Sequence, residues 1–308
     1  MTVIIIAQKP DQEAWYRPIQ ALVPEIEILK WPDIGDPGAV DVAVVHKADP
    51  GILAQFPNLK ALIGMWAGVE HILERPDLPD VPIARMVDPL IARDIGHYVV
   101  QHTLNYFRSM PLIQANQRAH LWQHIEPPPV NFTVGLMGLG AIGKAAADML
   151  MNLGFTVRAW TRTARSSGGD IPIFCGHDRL EEFLAGTQVC VCTLPLTPET
   201  EAIINTTRLY QLPAGAYLVN AGRGGQVVEE DLLAALDAGH LAGAALDVFH
   251  EEPPGADSPF WDHPRVIMTP HNAADPRPDS VAPAVADNIR RALAGQPMRN
   301  LVDRRRGY

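Results

Sequence analysis

The sequence predicts an α/β protein of two doubly wound, parallel-sheet domains with a cleft between them. Three observations carry this expectation. The chain has 308 residues, about twice an ordinary domain of ~150. Short apolar runs bounded by Gly, Pro and Asp alternate with helical patterns throughout, which is the rhythm of βαβ units. Two such series occur, and the stretch Glu126-Pro127-Pro128-Pro129 that precedes the second cannot be helical.

In the first series Val3–Ala7, Val42–His46, Ala61–Met65 and Ile83–Val87 read as strands. Asp88 to Met110 reads as one long helix, because Ile91, Ile95, Tyr98, Val99, His102 and Tyr106 recur three or four residues apart. Asp88 supplies its N-cap and Pro89 its first turn. The second series has strands at Phe132–Met137, Thr156–Trp160, Val189–Leu194, Ala216–Asn220, Ala244–Val248 and Arg265–Met268. A last helix, Asp279 to Ala294, is expected to return to the first domain. The boundaries that follow are residues 1–97 plus 276–308 for a substrate-binding domain and 98–275 for a dinucleotide-binding one.

Lys and Arg total 25 against 35 Asp and Glu, a formal charge of −10. Nucleic acid and anionic membranes need a basic face, so neither is expected as a partner. An anionic substrate must be held by a few placed arginines and backbone N–H groups. No run approaches the ~20 apolar residues of a membrane span, and Val3 to Ala7 is too short for a secretion signal. The three cysteines show no CxxC spacing; Cys190 and Cys192 alternate within an apolar run and read as buried thiols. A cytoplasmic protein is expected. His120 and His124 stand at helical i,i+4 spacing but lack a third ligand, so no metal is expected.

Gly138, Gly140 and Gly143 form a G-x-G-x-x-G turn between a strand and a helix-forming stretch. Gly138 permits the tight turn, Gly140 lets a pyrophosphate approach the backbone beside Ala141 and Ile142, and Gly143 lets helix and strand pack closely. A dinucleotide enzyme preferring NAD usually carries an acid at the end of the next strand. Here the sequence is Trp160-Thr161-Arg162-Thr163, with no acid until Asp170. Arg162 suits a 2′-phosphate, with Thr161 and Thr163 as hydroxyl donors, so NADP(H) is favoured and NAD(H) remains possible. A solvated surface arginine is the plain alternative.

Three later loops follow predicted strands at the ends where ligands bind in such sheets. They hold Arg223 in Asn220-Ala221-Gly222-Arg223-Gly224, the carboxylates of Asp247 to Pro253, and His271 in Thr269-Pro270-His271-Asn272-Ala273. A 2-keto acid needs a guanidinium for its carboxylate and carbonyl, and a histidine to protonate the alkoxide left by hydride attack. A carboxylate against that histidine fixes its tautomer.

These motifs, in this order, resemble the D-isomer-specific 2-hydroxyacid dehydrogenase family. Phe132-Thr133-Val134-Gly135, Arg85-Met86-Val87-Asp88-Pro89 and Trp160-Thr161-Arg162 are similar to its glyoxylate/hydroxypyruvate reductase A branch. The resemblance implies Arg223 as the substrate arginine, Glu252 as the partner of the histidine, and His271 as the proton donor. It implies a substrate-carboxylate turn at Trp66, Ala67 and Gly68, with Arg277 adding charge or lying on the surface. Leu194, Pro195 and Thr200 correspond to the loop beside the nicotinamide, and Asp247 and Ala273 to its neighbours on the cofactor side. The implied reaction is NADPH-dependent reduction of a small 2-keto acid such as glyoxylate or hydroxypyruvate to the D-2-hydroxy acid. Relatives are usually homodimers built around the long helix, with Trp122 directed from it toward the neighbour or simply buried. Trp66, His97, Asn272 and Pro276 depart from the family pattern, and a bulky Trp66 is expected to reshape the pocket. Two other readings share the fold: a nucleotide-sensing corepressor-like protein, and an NAD-linked formate or phosphite dehydrogenase.

Overall fold

A computed structural model describes residues 2–7, 12–46, 48–66, 68–126, 132–163, 169–305 and 307. Ala67 and the prolines Pro127, Pro128 and Pro129 lie outside the described residues. The chain folds as two compact units, Met1–Leu90 with Asp275–Tyr308, and Ile91–Ala274.

The first unit contains β1 (Thr2–Ile6), α1 (Gln12–Leu22), β2 (Glu27–Lys30), β3 (Val40–Val45), β4 (Ala61–Gly64), α2 (Glu70–Leu73) and β5 (Ile83–Ala84). Its strands form one parallel sheet in the order β2-β1-β3-β4-β5. Residues Val3 to Ile6 and Val42 to Val45 are buried on both faces, as a parallel sheet covered by helices requires.

Helix α3 (Pro89–Phe107) starts where Asp88 Oδ1 accepts the Leu90 N–H at 2.9 Å. It ends sooner than the periodicity suggests. Ser109 takes a left-handed φ of 53° and separates it from α4 (Met110–Arg118). Trp122 and the pair His120 and His124 therefore follow the end of α4 rather than lying on a long helix, and Trp122 is fully exposed rather than packed.

The second unit continues with β6 (Thr133–Met137), α5 (Ala141–Asn152), β7 (Thr156–Thr161), β8 (Ile173–Cys175), α6 (Leu180–Ala185) and β9 (Val189–Cys192). It closes with α7 (Thr206–Gln211), β10 (Ala216–Asn220), α8 (Glu229–Asp237), β11 (Leu241–Leu246) and β12 (Val266–Met268). These strands make a parallel sheet in the order β12-β11-β10-β9-β6-β7-β8. Helix α5 buries Gly143, Ala146, Ala147 and Leu150, one face at helical spacing. It stops in a Schellman turn: Gly154, at φ 85°, donates to Met151 O, and Phe155 N–H reaches back to Leu150 O. Trp160, Phe183 and Phe260 fill the core of this unit, each such buried ring contributing ~1.5–3 kcal/mol over an exposed one. The last helix, α9 (Pro278–Leu293), belongs to the first unit and packs on α1 beside β3 and β4.

Candidate active site

In the second sheet β6 pairs with β7 on one side and with β9 on the other, so the chain order reverses at β6. Ligands of open α/β sheets bind at the carboxyl ends of the strands at such a switch point. The glycine turn sits there. Gly138 has φ 100°, a region closed to most side chains, and its N–H donates to Trp160 O at 2.9 Å. A Cβ on Gly143 would fall 2.1 Å from Gly138 O, so only glycine lets α5 approach this closely. A Cβ on Gly140 would meet nothing within 4 Å, which leaves open space over the backbone at the start of α5. Ala141 and Ile142 begin that helix, where first-turn N–H groups have no helical acceptor. These residues fit a dinucleotide pyrophosphate.

At the end of β7 no carboxylate lies between Arg158 and Thr163. Arg162 forms an ion pair with Glu199 at 3.0 Å, so the guanidinium reaches the loop that follows β9. Two neighbours differ from expectation. The Trp160 indole is fully buried and donates to Gly176 O at 2.8 Å, so it is a core group. Thr161 is buried too, and its hydroxyl donates to Thr163 O at 3.1 Å instead of facing a phosphate. The ring and the strand-terminal hydroxyl both find backbone carbonyl partners just past the ends of β8 and β7, which a linear motif does not reveal.

The Arg223 loop is braced from within. Asn220 Nδ2 donates to Arg223 O at 3.1 Å and its Oδ1 accepts the Gly222 N–H at 3.1 Å. Arg223 Nη1 donates to Gly222 O at 2.8 Å. Gln226, fully buried, was not visible as a site residue in the sequence. Its Oε1 accepts the Arg223 N–H at 2.9 Å and the Cys192 thiol at 3.1 Å, while Nε2 donates to Leu194 O at 2.7 Å. Burial pushes the Cys192 thiol up to about 12, which keeps it a donor. Gln226 thus joins the loops after β9 and β10. Thr200 closes the first of these, donating to Pro195 O at 2.6 Å. Gly224 brings the Arg223 loop against the segment after β11, because a Cβ there would lie 1.9 Å from the Phe249 carbonyl.

That segment carries Glu252. Its Oε1 accepts the Phe249 N–H at 3.0 Å, and its Oε2 lies 2.7 Å from His271 Nδ1. With Nδ1 committed to the carboxylate, Nε2 is the ring nitrogen available for proton exchange, on a side chain that is 45% exposed. His271 adopts φ 52°, and its N–H donates to Asp247 O at 2.9 Å. The buried Asp247 carboxylate accepts from Thr269 Oγ1 at 2.6 Å and from the N–H groups of Asn272 and Ala273, both at 3.0 Å. Its described hydrogen bonds all go to the loop that carries His271. A cavity of 410 Å³ lies beside this pair, lined by Phe249, Glu252, Trp261, Met268, Pro270 and His271 among others. The pair can hold a proton at Nε2 and stabilise the imidazolium through Glu252.

Trp66, Gly68 and Arg277 belong to the first unit. Trp66 is only 9% exposed: its ring folds back over Gly64, where a Cβ would clash at 2.1 Å, and joins the core. Although mostly buried, the indole also lines a cavity of 240 Å³ together with His46, His71 and Arg75. No cluster of three or more His, Cys, Asp or Glu side chains able to hold a metal occurs among the described residues.

Beneath the site, on α3, His102 is 2% exposed and burial pushes its imidazole down to about 4. The unfolded imidazole protonates near 6.5, so between these values the unfolded state binds the extra proton. Stability should therefore fall as pH drops from about 6.5 toward 4, by up to about 3 kcal/mol from this group. Urea midpoints at neutral and acid pH test this: His102→Gln should flatten the slope, and an unchanged slope would refute the assignment.

A glycine turn at the switch point of a parallel sheet, with a carboxylate-bound histidine in the same unit, defines a dinucleotide-dependent oxidoreductase class. The sequence profile of the D-isomer specific 2-hydroxyacid dehydrogenase, NAD binding domain, matches residues 100–273, and the chain belongs to this family. It is 39% identical to the glyoxylate/hydroxypyruvate reductase A of Yersinia enterocolitica and 41% identical to that of Klebsiella pneumoniae strain 342, each over 100% of both chains. Among solved structures it resembles a D-isomer specific 2-hydroxyacid dehydrogenase from Xanthobacter autotrophicus Py2 in complex with NADPH and MES. The TM-score is 0.95 at 40% identity, covering 100% of this chain and 99% of that one. It also resembles the NADPH-dependent glyoxylate/hydroxypyruvate reductase of Sinorhizobium meliloti, in complex with NADP and sulfate. There the TM-score is 0.92 at 34% identity, with 100% of both chains covered.

Proposed function

We propose that this protein reduces a small 2-keto acid, glyoxylate or hydroxypyruvate, to the D-2-hydroxy acid with NADPH. The observation that carries the reading is the 2.7 Å contact between Glu252 and His271. It stands on a loop braced by Asp247, in the same unit as Arg223 and the glycine turn. The names of the relatives above agree with this reaction. Bound NADPH supplies the hydride. Arg223 orients the 2-keto acid and polarises its carbonyl, since a guanidinium can hold carboxylate and carbonyl oxygens with parallel hydrogen bonds. His271 gives its Nε2 proton to the carbonyl oxygen as negative charge develops there, and Glu252 offsets the charge of the imidazolium beforehand. Arg162 selects the 2′-phosphate.

On this reading the second unit is the dinucleotide-binding domain and the first the substrate-binding one. The three free cysteines fit the reducing cytoplasm. The partner at the surface is a second copy of the chain. Helix α4 has no buried residue, and Leu112, Ile113, Leu121 and Trp122 are exposed on it and just after it. A helix of nine residues is marginal in water without a covering face. Sedimentation should give a dimer, and Leu121→Asp with Trp122→Asp should give a monomer; a wild-type monomer would overturn the pairing.

The activity is tested by steady-state kinetics with NADPH and NADH against glyoxylate, hydroxypyruvate, pyruvate and phenylpyruvate. Turnover of the two small acids with NADPH is expected to exceed the rest. No turnover with any of them sinks the proposal.

A further inference from the structure

Behind the His271 loop a chain of hydroxyl groups connects α3 to Asp247. Tyr98, on the buried face of α3, places its hydroxyl 2.9 Å from Thr269 Oγ1. Thr269 Oγ1 in turn lies 2.6 Å from Asp247 Oδ1. The proton inventory fixes the direction. Threonine has one hydroxyl hydrogen, and if it pointed to Tyr98 a lone pair would face the carboxylate at 2.6 Å. Thr269 therefore donates to Asp247 and accepts from Tyr98. Burial holds the Tyr98 phenol well above its usual range, so it remains a donor. The His102 ring, 4.3 Å from that of Tyr98, packs beside it.

The same carboxylate receives the N–H groups of Asn272 and Ala273, on the far side of His271. One buried anion thus gathers both flanks of a residue held at φ 52°. A donor that keeps the Thr269 hydrogen aimed at Asp247 strengthens that bond through polarisation along the chain.

We propose that Tyr98 is a positioning residue for the reduction: through Thr269 and Asp247 it holds the 269–273 loop in the geometry that places His271. The inference rests on the reading of His271 as proton donor. Tyr98 touches neither His271 nor Glu252 in any described contact, and its effect travels only through the hydroxyl chain.

Tyr98→Phe removes one O–H and keeps the ring. Its kcat should fall roughly tenfold, as for loss of a hydrogen bond feeding a charged group, with the KM for NADPH and the melting temperature little changed. Thr269→Val should lose a similar factor, and the double variant little more than either alone, because the two act as one chain. Thr269→Ser should retain most of the wild-type kcat. Hydrogen exchange at the Asn272 and Ala273 amides should quicken in Tyr98→Phe, which reads the loop without any turnover. Unchanged kcat and exchange in Tyr98→Phe, or fully additive losses in the double variant, would overturn the proposal. His271→Asn separates the two ideas. If it turns over normally, the proton-donor reading fails and this inference with it. If it is inactive while Tyr98→Phe behaves as wild type, this inference alone fails.

Discussion

His271→Asn is expected to lower kcat by ~10²–10⁴-fold while leaving NADPH affinity and stability close to wild type. The choice of asparagine follows from the backbone. His271 has φ 52°, a left-handed conformation that Asn tolerates well and Ala poorly. An alanine variant would mix lost chemistry with backbone strain, of order 1 kcal/mol. Asparagine keeps a polar side chain near Glu252 but cannot hold a proton for transfer. The side chain is 45% exposed, so little packing is lost. Loss of turnover with NADPH fluorescence titration unaltered identifies a proton-transfer role. Near-normal turnover with glyoxylate would reject His271 as the acid, and an equal loss of NADPH affinity would assign it to binding instead.

Glu252 belongs to the same unit of chemistry, since its carboxylate holds both the Phe249 N–H and the imidazole. Removing either partner should cost much of the same barrier, and the effects of removing both should not add.

What the sequence made legible depended on burial. Most strands read from apolar runs are covered on both faces, such as β1, β3 and β9, while β12 reads as a strand although it is a half-buried edge strand. The two that escaped, β2 and β8, stand at sheet edges. In β2 only Ile28 is buried, next to the charged Glu27 and Lys30, and β8 is a three-residue strand, Ile173-Phe174-Cys175, with every residue half-buried. The long helix read from the periodicity ends at Met110, close to the turn at Ser109, but α4 goes unread, because no buried face marks it and the left-handed turn needs no glycine. Leu112 and Ile113 continue an apolar pattern that is directed outward rather than into a core.

The site divides in the same way. Arg223 and His271 stand out because few other side chains could do their task, whereas Glu252 is singled out among the carboxylates of Asp247 to Pro253 only by the family resemblance. Residues that shape backbone do not stand out. Gln226 joins the loops after β9 and β10 through two buried hydrogen-bonding groups, yet nothing about a glutamine after Gly224-Gly225 marks it. Asn220 and Thr200 stand near the glycine turn in sequence logic, but their side chains bond to the loops that carry them. Asp247 is the sharpest case: the acid that the resemblance sets on the cofactor side bonds, through its carboxylate, to the histidine loop. Position in a motif locates such groups without stating what they touch.

Coenzyme choice gives the other large expected effect. Arg162→Ala should raise the KM for NADPH roughly a hundredfold, the loss of two charge-assisted hydrogen bonds to a phosphate, and leave the KM for NADH nearly unchanged. The end of β7 offers no carboxylate for the ribose hydroxyls, so the variant becomes unselective rather than NAD-preferring. Arg162 pairs with Glu199 at 3.0 Å, and that carboxylate must yield before a phosphate dianion can take its place. Glu199→Gln should then tighten NADPH severalfold with no effect on NADH, a gain opposite in sign to the Arg162 variant at the same locus. Added salt should weaken NADPH binding to the wild type more than to Arg162→Ala, because screening acts on the charge the variant lacks. If Arg162→Ala weakens both coenzymes alike, the guanidinium supports the fold of the β7 loop rather than reading the 2′-phosphate. If Glu199→Gln leaves NADPH affinity untouched, the ion pair lies clear of the bound nucleotide.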